Sequence, residues 1–341
     1  MTEPLLIATH GEDPDGIIAH ALLLSVYSTS EPLDPKNHVF VRYDRLGEQM
    51  EGFVRRAEEV RPRQIVIADI GPNQRFVEHG GSRLSLVHRL RDTGGVVHWY
   101  DHHVQTEQIQ RKLEALQVHV YYSATQCAAM QIHRRFSSRT NGELAKIAQA
   151  HDYRSGSHNK SQRFEKGDIL EKLICLAQAE QDSKKLLRLA DDLRKGLVFS
   201  NETTLFPMWD GEVTQYGHRS RGAYACLDQS VQSADIAGIR FLFAYADPIL
   251  SQKPATRHLK AKYGSTVDVI VTIFAPPARN YIVDGMNERF DVIPFVETVG
   301  GGGRGNMGGF TVDEDVKPEE FQTYIASLQE QIRSYIHSRS A

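Results

Sequence analysis

The sequence predicts an α/β protein of two domains: an N-terminal, mostly parallel sheet with helices on both faces, then a smaller C-terminal α/β domain. Three observations lead there. Short apolar runs alternate with helically periodic segments through the first half of the chain, and alternating βα units favour parallel strands covered on both faces. A polar stretch at residues 154–167 breaks the alternation, and from about Arg240 a different order of elements takes over. A chain of 341 residues is also long enough for two domains, each with its own core. The expected boundaries are 1–155 for the first domain, 156–235 for a linker with connecting helices, and 236–341 for the second.

Leu5-Leu6-Ile7-Ala8 is the first apolar run, too short for periodicity alone to classify. Residues 16–24 have helical spacing. Val39-Phe40-Val41 reads as a second strand and residues 51–61 as a helix. Ile65-Val66-Ile67-Ala68 is a third strand, ended by the turn signal Asp69-Ile70-Gly71-Pro72-Asn73. Residues 83–91 form a helix stopped by Gly94-Gly95, residues 96–100 a fourth strand ended by Asp101, and residues 118–122 a fifth. Ser123 suits the N-cap of a helix running to His133. Beyond the polar break, Leu170, Leu173, Ile174 and Ala177, then Leu186, Leu189 and Leu193, fall on helical spacing. In the C-terminal part, residues 241–245, 267–274 and 279–283 read as strands, and 255–262 and 318–338 as helices. A glycine cluster spans 300–309.

Hydrophobic residues make up 40% of the chain and charged residues 24%, an ordinary globular balance. No apolar run approaches the roughly 20 residues of a membrane span. The N-terminus has no basic leader segment. The protein is therefore expected in the cytoplasm, with no membrane partner. Cys127, Cys175 and Cys226 are widely spaced and form no CxxC pair, which supports neither a disulfide framework nor a thiolate zinc site. The net charge of −3 disfavours a protein that grips long duplexes. It leaves room for a small phosphate ester or a short oligonucleotide.

The acids and histidines fall where strands end. The chain reads Leu5-Leu6-Ile7-Ala8-Thr9-His10-Gly11-Glu12-Asp13-Pro14-Asp15-Gly16, later Ile65-Val66-Ile67-Ala68-Asp69, then Val96-Val97-His98-Trp99-Tyr100-Asp101-His102-His103. In open parallel sheets the carboxyl ends of the strands share one edge, where ligands bind. Asp13, Asp15 and Asp69, clustered there without cations, would repel one another. Two divalent ions remove the conflict, and four carboxylates balance them if Asp152 joins. Mixed oxygen and imidazole ligands favour Mn²⁺, with Mg²⁺ or Zn²⁺ compatible. Singly, each acid is as well explained as a turn residue or helix cap; the ordered set is not.

That set, HxxDxDG, strand-Asp, strand-DHH and His151-Asp152, resembles the DHH phosphoesterase superfamily, which includes RecJ-type exonucleases, nano-RNases, exopolyphosphatases and family II pyrophosphatases. The resemblance covers about the first 155 residues. It implies that His10, Asp13 and Asp69 hold one metal ion. It implies that Asp15, Asp69, His102 and Asp152 hold the other, with Asp69 bridging. Asp101 would orient the histidines, and His103 would contact the substrate phosphate and assist as an acid; these two are the expected catalytic residues. Many relatives space the first motif HxDxDG. The extra residue here leaves open whether Glu12 or Asp13 faces the first ion, with Asp13 favoured because it keeps the DxD alternation with Asp15. The ions would acidify a shared water and neutralise charge on the attacked phosphoryl group.

Gly300-Gly301-Gly302-Gly303-Arg304-Gly305-Asn306-Met307-Gly308-Gly309-Phe310 resembles the GGGHxxAAG motif of the DHHA1 domain. Gly-rich backbone approaches anions closely, so Gly301, Gly302, Gly303, Arg304 and Asn306, with His103, are the expected substrate contacts. Arg304 replaces the usual histidine and still grips phosphate, bidentately and as a fixed cation. Arg279 and Arg289 are further candidates. The implied function is a Mn²⁺-dependent phosphodiesterase acting on short oligonucleotides, like a nano-RNase or RecJ-type exonuclease. The alternatives are a phosphohydrolase of 3′-phosphoadenosine 5′-phosphate, cyclic dinucleotides, polyphosphate or pyrophosphate, and a non-catalytic nucleic-acid-associated scaffold. A homodimer is compatible with the sequence. Cleavage polarity and RNA against DNA preference stay open.

Overall fold

The computed structural model describes residues 5–27, 33–72, 85–153, 162–200, 204–276, 278, 280–311 and 316–340. The chain divides into two units, 1–213 and 214–341.

The first unit opens with β1 (Leu5–His10) and α1 (Pro14–Tyr27), then β2 (His38–Val41), α2 (Leu46–Val60), β3 (Gln64–Ala68) and α3 (Leu86–Asp92). It continues with β4 (Val96–Asp101), α4 (Val104–Ala115), β5 (His119–Tyr122), α5 (Ala128–Arg135) and α6 (Gly142–Asp152), followed by α7 (Gln162–Ala179) and α8 (Ser183–Lys195). The five strands are all parallel, in the order β2-β1-β3-β4-β5. Side chains alternate across a strand, and both faces of this sheet are apolar. Ile7, Val66 and Tyr100 pack under α1, α5, α6, α7 and α8. Leu6, Ala8, Ile65, Ile67 and Trp99 pack under α2, α3 and α4. The strand order reverses direction between β1 and β3, the place where open α/β sheets bind ligands.

Two local details differ from the sequence expectation. The helix expected to start at Ser123 begins at Ala128, with Cys127 at its N-cap. Ser123 instead bonds Thr125 in a turn, because the amides opening α5 have a different acceptor, described below. Helices α7 and α8 fall within the segment expected to connect the domains, yet Leu170, Leu173, Ile174, Leu186 and Leu189 pack into the first unit's core. Residues 154–161, which hold the start of the expected linker, lie outside the described residues.

The division between units falls inside α9 (Pro207–Ser230). The second unit contains β6 (Gln232–Ile236), β7 (Ile239–Ala246), α10 (Gln252–Tyr263), β8 (Val269–Phe274) and β9 (Asn280–Gly285). It closes with α11 (Val292–Thr298), β10 (Gly302–Arg304), β11 (Met307–Thr311) and α12 (Phe321–Ser340). Its mixed sheet runs β10-β11-β9-β8-β7-β6, with β7 and β8 the parallel pair. Phe241, Phe243, Val271, Tyr281 and Val283 pack against Phe295 and Val296 of α11 and Phe321, Ile325, Leu328 and Ile332 of α12. Among the described residues no helix is long and apolar enough to cross a membrane.

Candidate metal centre

Three strand ends of the first unit bring the polar residues together. After β1 the chain turns through 11–13 into α1. Gly16 makes that turn feasible: a Cβ there would lie 2.0 Å from the carbonyl oxygen of His10. Asp13 caps the helix, its Oδ1 accepting from the Gly16 N–H at 3.2 Å. Asp69 follows β3 directly in the left-handed region, φ 58°, a conformation that costs a non-glycine residue about 1–3 kcal/mol. Its N–H donates to the Tyr100 carbonyl at 2.9 Å, which holds the strained residue at the edge between β3 and β4.

His10 Nδ1 lies 3.5 Å from Asp13 Oδ2 and 3.5 Å from Asp69 Oδ2. His10 Nδ1 and Asp69 Oδ2 are both buried, and neither makes a hydrogen bond. Buried polar atoms are ordinarily partnered. Two lone-pair donors left without one, converging with a third, fit a divalent cation. Glu12 stands elsewhere, its Oε2 3.4 Å from the opposite ring nitrogen, Nε2. Asp13, not Glu12, therefore shares the inner face of His10 with Asp69.

His102 extends the cluster. Its Nε2 is 3.2 Å from Asp69 Oδ1, and its Nδ1 is 3.4 Å from Asp152 Oδ2 and 3.1 Å from the Tyr153 hydroxyl. Asp69 thus touches both histidines, one with each oxygen. Asp15 has a further task. It is buried, with Oδ2 accepting from the Ala128 N–H at 2.8 Å and Oδ1 from the Ala129 N–H at 2.9 Å. Its carboxylate caps the positive end of α5.

Asp101 is fully buried and spent on support. One oxygen accepts from His103 Nδ1 at 2.7 Å and the other from the Thr106 hydroxyl. It orients His103 rather than both histidines. His103 is half-buried, and its Nε2 faces the Tyr43 hydroxyl at 3.4 Å.

The electrostatics are those of a buried, acidic site. Burial pushes His10 down, but Asp13, Asp69 and Glu12 together lift it well above the ordinary histidine value. Burial likewise opposes His102, yet Asp69, Asp15 and Asp152 raise it to about 10. Burial, then the charge of Asp69, pushes the Asp15 carboxyl well up. A cation supplied from solution relieves the same conflict.

The chain is similar to several solved structures. The DHH domain of a member of the s1p family of ribosomal proteins matches with a TM-score of 0.56 at 16% identity, over 98% of this chain and 87% of that one. The fold is that of DHH-domain proteins. RecJ from Thermus thermophilus, solved with Mg²⁺, matches at a TM-score of 0.48 and 12% identity, over 98% of this chain and 49% of that one. An exopolyphosphatase-related protein from Bacteroides fragilis matches at 0.44 and 10%, over 98% of this chain and 94% of that one. No protein-family profile and no curated protein sequence matches the chain.

In this DHH-fold chain the glycine cluster is a β-hairpin, with Gly302 opposite Gly309 and Gly303 opposite Gly308. A Cβ at Gly303 would lie 2.3 Å from the Met307 carbonyl, so part of the glycine requirement is the hairpin's own close pairing. Gly302, Gly303 and Asn306 are exposed and Gly301 half-exposed, free to meet a ligand. The Arg304 side chain and Arg279 lie outside the described residues. Arg289 is committed to Asp268, at 3.2 Å. His151 turns away from Asp152, toward Asp168 and Glu171 at 3.5 Å each.

Sequence reasoning missed Tyr43 and Tyr153. Tyr43 lies just past the end of β2, on the same edge as the other strand ends, a position that could have drawn notice. Its hydroxyl accepts from the Gly71 N–H at 3.1 Å, and its ring centroid lies 4.9 Å from that of His10.

Proposed function

We propose that this chain is a divalent-metal-dependent phosphohydrolase of the DHH superfamily, acting on short oligonucleotides or small nucleotides. One observation carries the metal dependence: His10 Nδ1 and Asp69 Oδ2, both buried and without a hydrogen bond, converge with Asp13 at the switch point of a parallel sheet. His10, Asp13 and Asp69 would hold one ion, and Asp69, His102, Asp152 and Asp15 the other. Mn²⁺ suits this donor set, and Mg²⁺ is compatible. When bound, such ions acidify water and neutralise developing phosphoryl charge.

The chain's own residues supply the rest. Asp101 accepts a hydrogen bond from His103 Nδ1–H, so a protonated His103 presents Nε2–H outward as a donor to a phosphate oxygen. The Tyr43 hydroxyl, raised above its usual pKa first by burial, stays protonated and stands beside that donor. The nucleotide class is supported by the DHHA1-like glycine hairpin, whose exposed Gly302, Gly303 and Asn306 offer backbone to an anion.

The test is a substrate panel with Mn²⁺: a dinucleotide, a 5-mer, a long single strand, 3′-phosphoadenosine 5′-phosphate, a cyclic dinucleotide and pyrophosphate. The expected result is fastest turnover of the short oligonucleotides, abolished in the His102→Ala, His103→Ala double variant. Dominant release of phosphate from pyrophosphate overturns the substrate class. Absence of metal-dependent turnover on every substrate overturns the hydrolase reading.

A further inference from the structure

The residue that makes the first motif one longer than HxDxDG has a definite place. Glu12 Oε2 lies 3.4 Å from His10 Nε2 and accepts from the backbone N–H of Tyr43 at 3.2 Å. Its other oxygen faces Arg42 Nε at 3.9 Å. Arg42 is itself held, donating twice to Asp44 at 2.9 and 2.7 Å and once to Gln178 Oε1 at 3.3 Å. Gln178 returns to the same turn, its Nε2 donating to the Gly11 carbonyl at 2.6 Å. Glu12 is therefore clasped from three directions, and its side chain is half-buried.

We infer that Glu12 is a positioning residue that fixes the tautomer of His10 for metal binding. Both ring nitrogens of His10 face carboxylates, Nε2 facing Glu12 and Nδ1 facing Asp13 and Asp69. An ion held by Asp13 and Asp69 would displace the Nδ1 proton, while Glu12, which only accepts, would keep the Nε2 proton. A neutral His10 with its proton on Nε2 has its lone pair on Nδ1. That atom is the buried, unbonded one facing Asp13 and Asp69. A carboxylate behind a ligating imidazole also raises its basicity, and losing such a partner typically weakens metal binding about 10–100-fold. The Tyr43 ring against His10 limits the ring flip that would exchange the two nitrogens. The extra residue of the motif thus acts on the first ion from outside its ligand set.

This inference rests on the metal-centre reading, and the experiment separates the two. Mn²⁺ binding is titrated by electron paramagnetic resonance of the free ion in the whole protein, in wild type, Glu12→Ala and Glu12→Gln. Wild type is expected to take up two ions. Glu12→Ala is expected to weaken one of them about 10–100-fold and leave the other near its wild-type affinity. Glu12→Gln keeps an acceptor for both Nε2–H and the Tyr43 N–H, and is expected to recover most of the loss. A Glu12→Ala protein that binds both ions as wild type does overturns the role of Glu12 alone. Glu12→Gln as damaging as Glu12→Ala also overturns it, since a tautomer-fixing role needs only an acceptor. Wild type that takes up no Mn²⁺ overturns the metal centre and this inference together. Should Glu12→Ala fail to fold, long-range ¹H–¹⁵N correlations of the His10 ring in Mg²⁺-loaded wild type decide the matter. A proton on Nε2 is expected, and a proton on Nδ1 overturns the proposal.

Discussion

Replacing Asp15 by alanine separates its two tasks. Both carboxylate oxygens accept backbone N–H groups at the start of α5, at 2.8 and 2.9 Å, inside the protein. Alanine leaves both amides without an acceptor, at about 1–3 kcal/mol each. Part of that is returned, because burial and the charges of Asp69, Asp152 and Asp13 already strain the Asp15 carboxylate. A net loss of about 2–4 kcal/mol remains. For a unit of this size each kcal/mol moves Tm by about 2–4 °C, so a fall of roughly 4–16 °C is expected without added metal. Asp13→Ala is the control. Its Oδ1 caps α1 through Gly16 at 3.2 Å, worth about 1 kcal/mol, so its fall is expected to be several-fold smaller. Scanning calorimetry is run with EDTA and again with Mn²⁺. Wild type gains about 2.7 kcal/mol at an ion concentration of 100 Kd, and both variants lose most of that gain. An Asp15→Ala protein that, in EDTA, melts no lower than Asp13→Ala refutes the capping role.

Three further outcomes follow from the same geometry. His10 and His102 carry protons in the ion-free site, His102 with a pKa of about 10, and an incoming ion displaces them. Binding therefore tightens as pH rises, by up to about tenfold per unit for each proton released, and calorimetric heats differ between buffers of unlike ionisation enthalpy; identical heats refute it. His20, bonded to Thr9 and His38, is buried, and burial depresses both rings, His38 to about 4. The unfolded chain then takes up these protons first, so their contribution is whole above about pH 6.5 and drains away as pH falls toward 4. Urea midpoints at pH 7 and pH 5 should show the loss, and His38→Gln should flatten it; an unchanged slope in that variant counts against it. Gly16→Ala places a Cβ against the His10 carbonyl, so Mn²⁺ binding is expected to fall at least tenfold; wild-type binding would show that the turn relaxes freely.

Much of the first unit was legible because its signals are local. β1, β3 and β4 are apolar runs stopped by acids, and the observed strands match residues 5–8, 65–68 and 96–100 closely. Less legible were segments whose structure depends on distant partners. Ser123 looked like a cap because capping is read from neighbours in sequence. The acceptor that starts α5 is Asp15, more than a hundred residues earlier. Helix α6, which delivers Asp152, and the long α9 carried too weak a periodic pattern to be named.

The sequence by itself determined the chemistry at hand: which carboxylates and imidazoles lie at strand ends, and that their charges call for cations. An apolar run and a terminal acid are properties of a few adjacent residues, so they survive without coordinates. Only the tertiary structure decided how those residues divide the work. It placed Asp13 on the inner face of His10 and Glu12 on the outer, gave Asp15 a helix to cap, and set Asp101 between His103 and Thr106. It also brought in Tyr43 and Tyr153. Those assignments turn on which ring nitrogen or which oxygen faces which neighbour, and that is set by where the turns, helix ends and β2 loop converge in space.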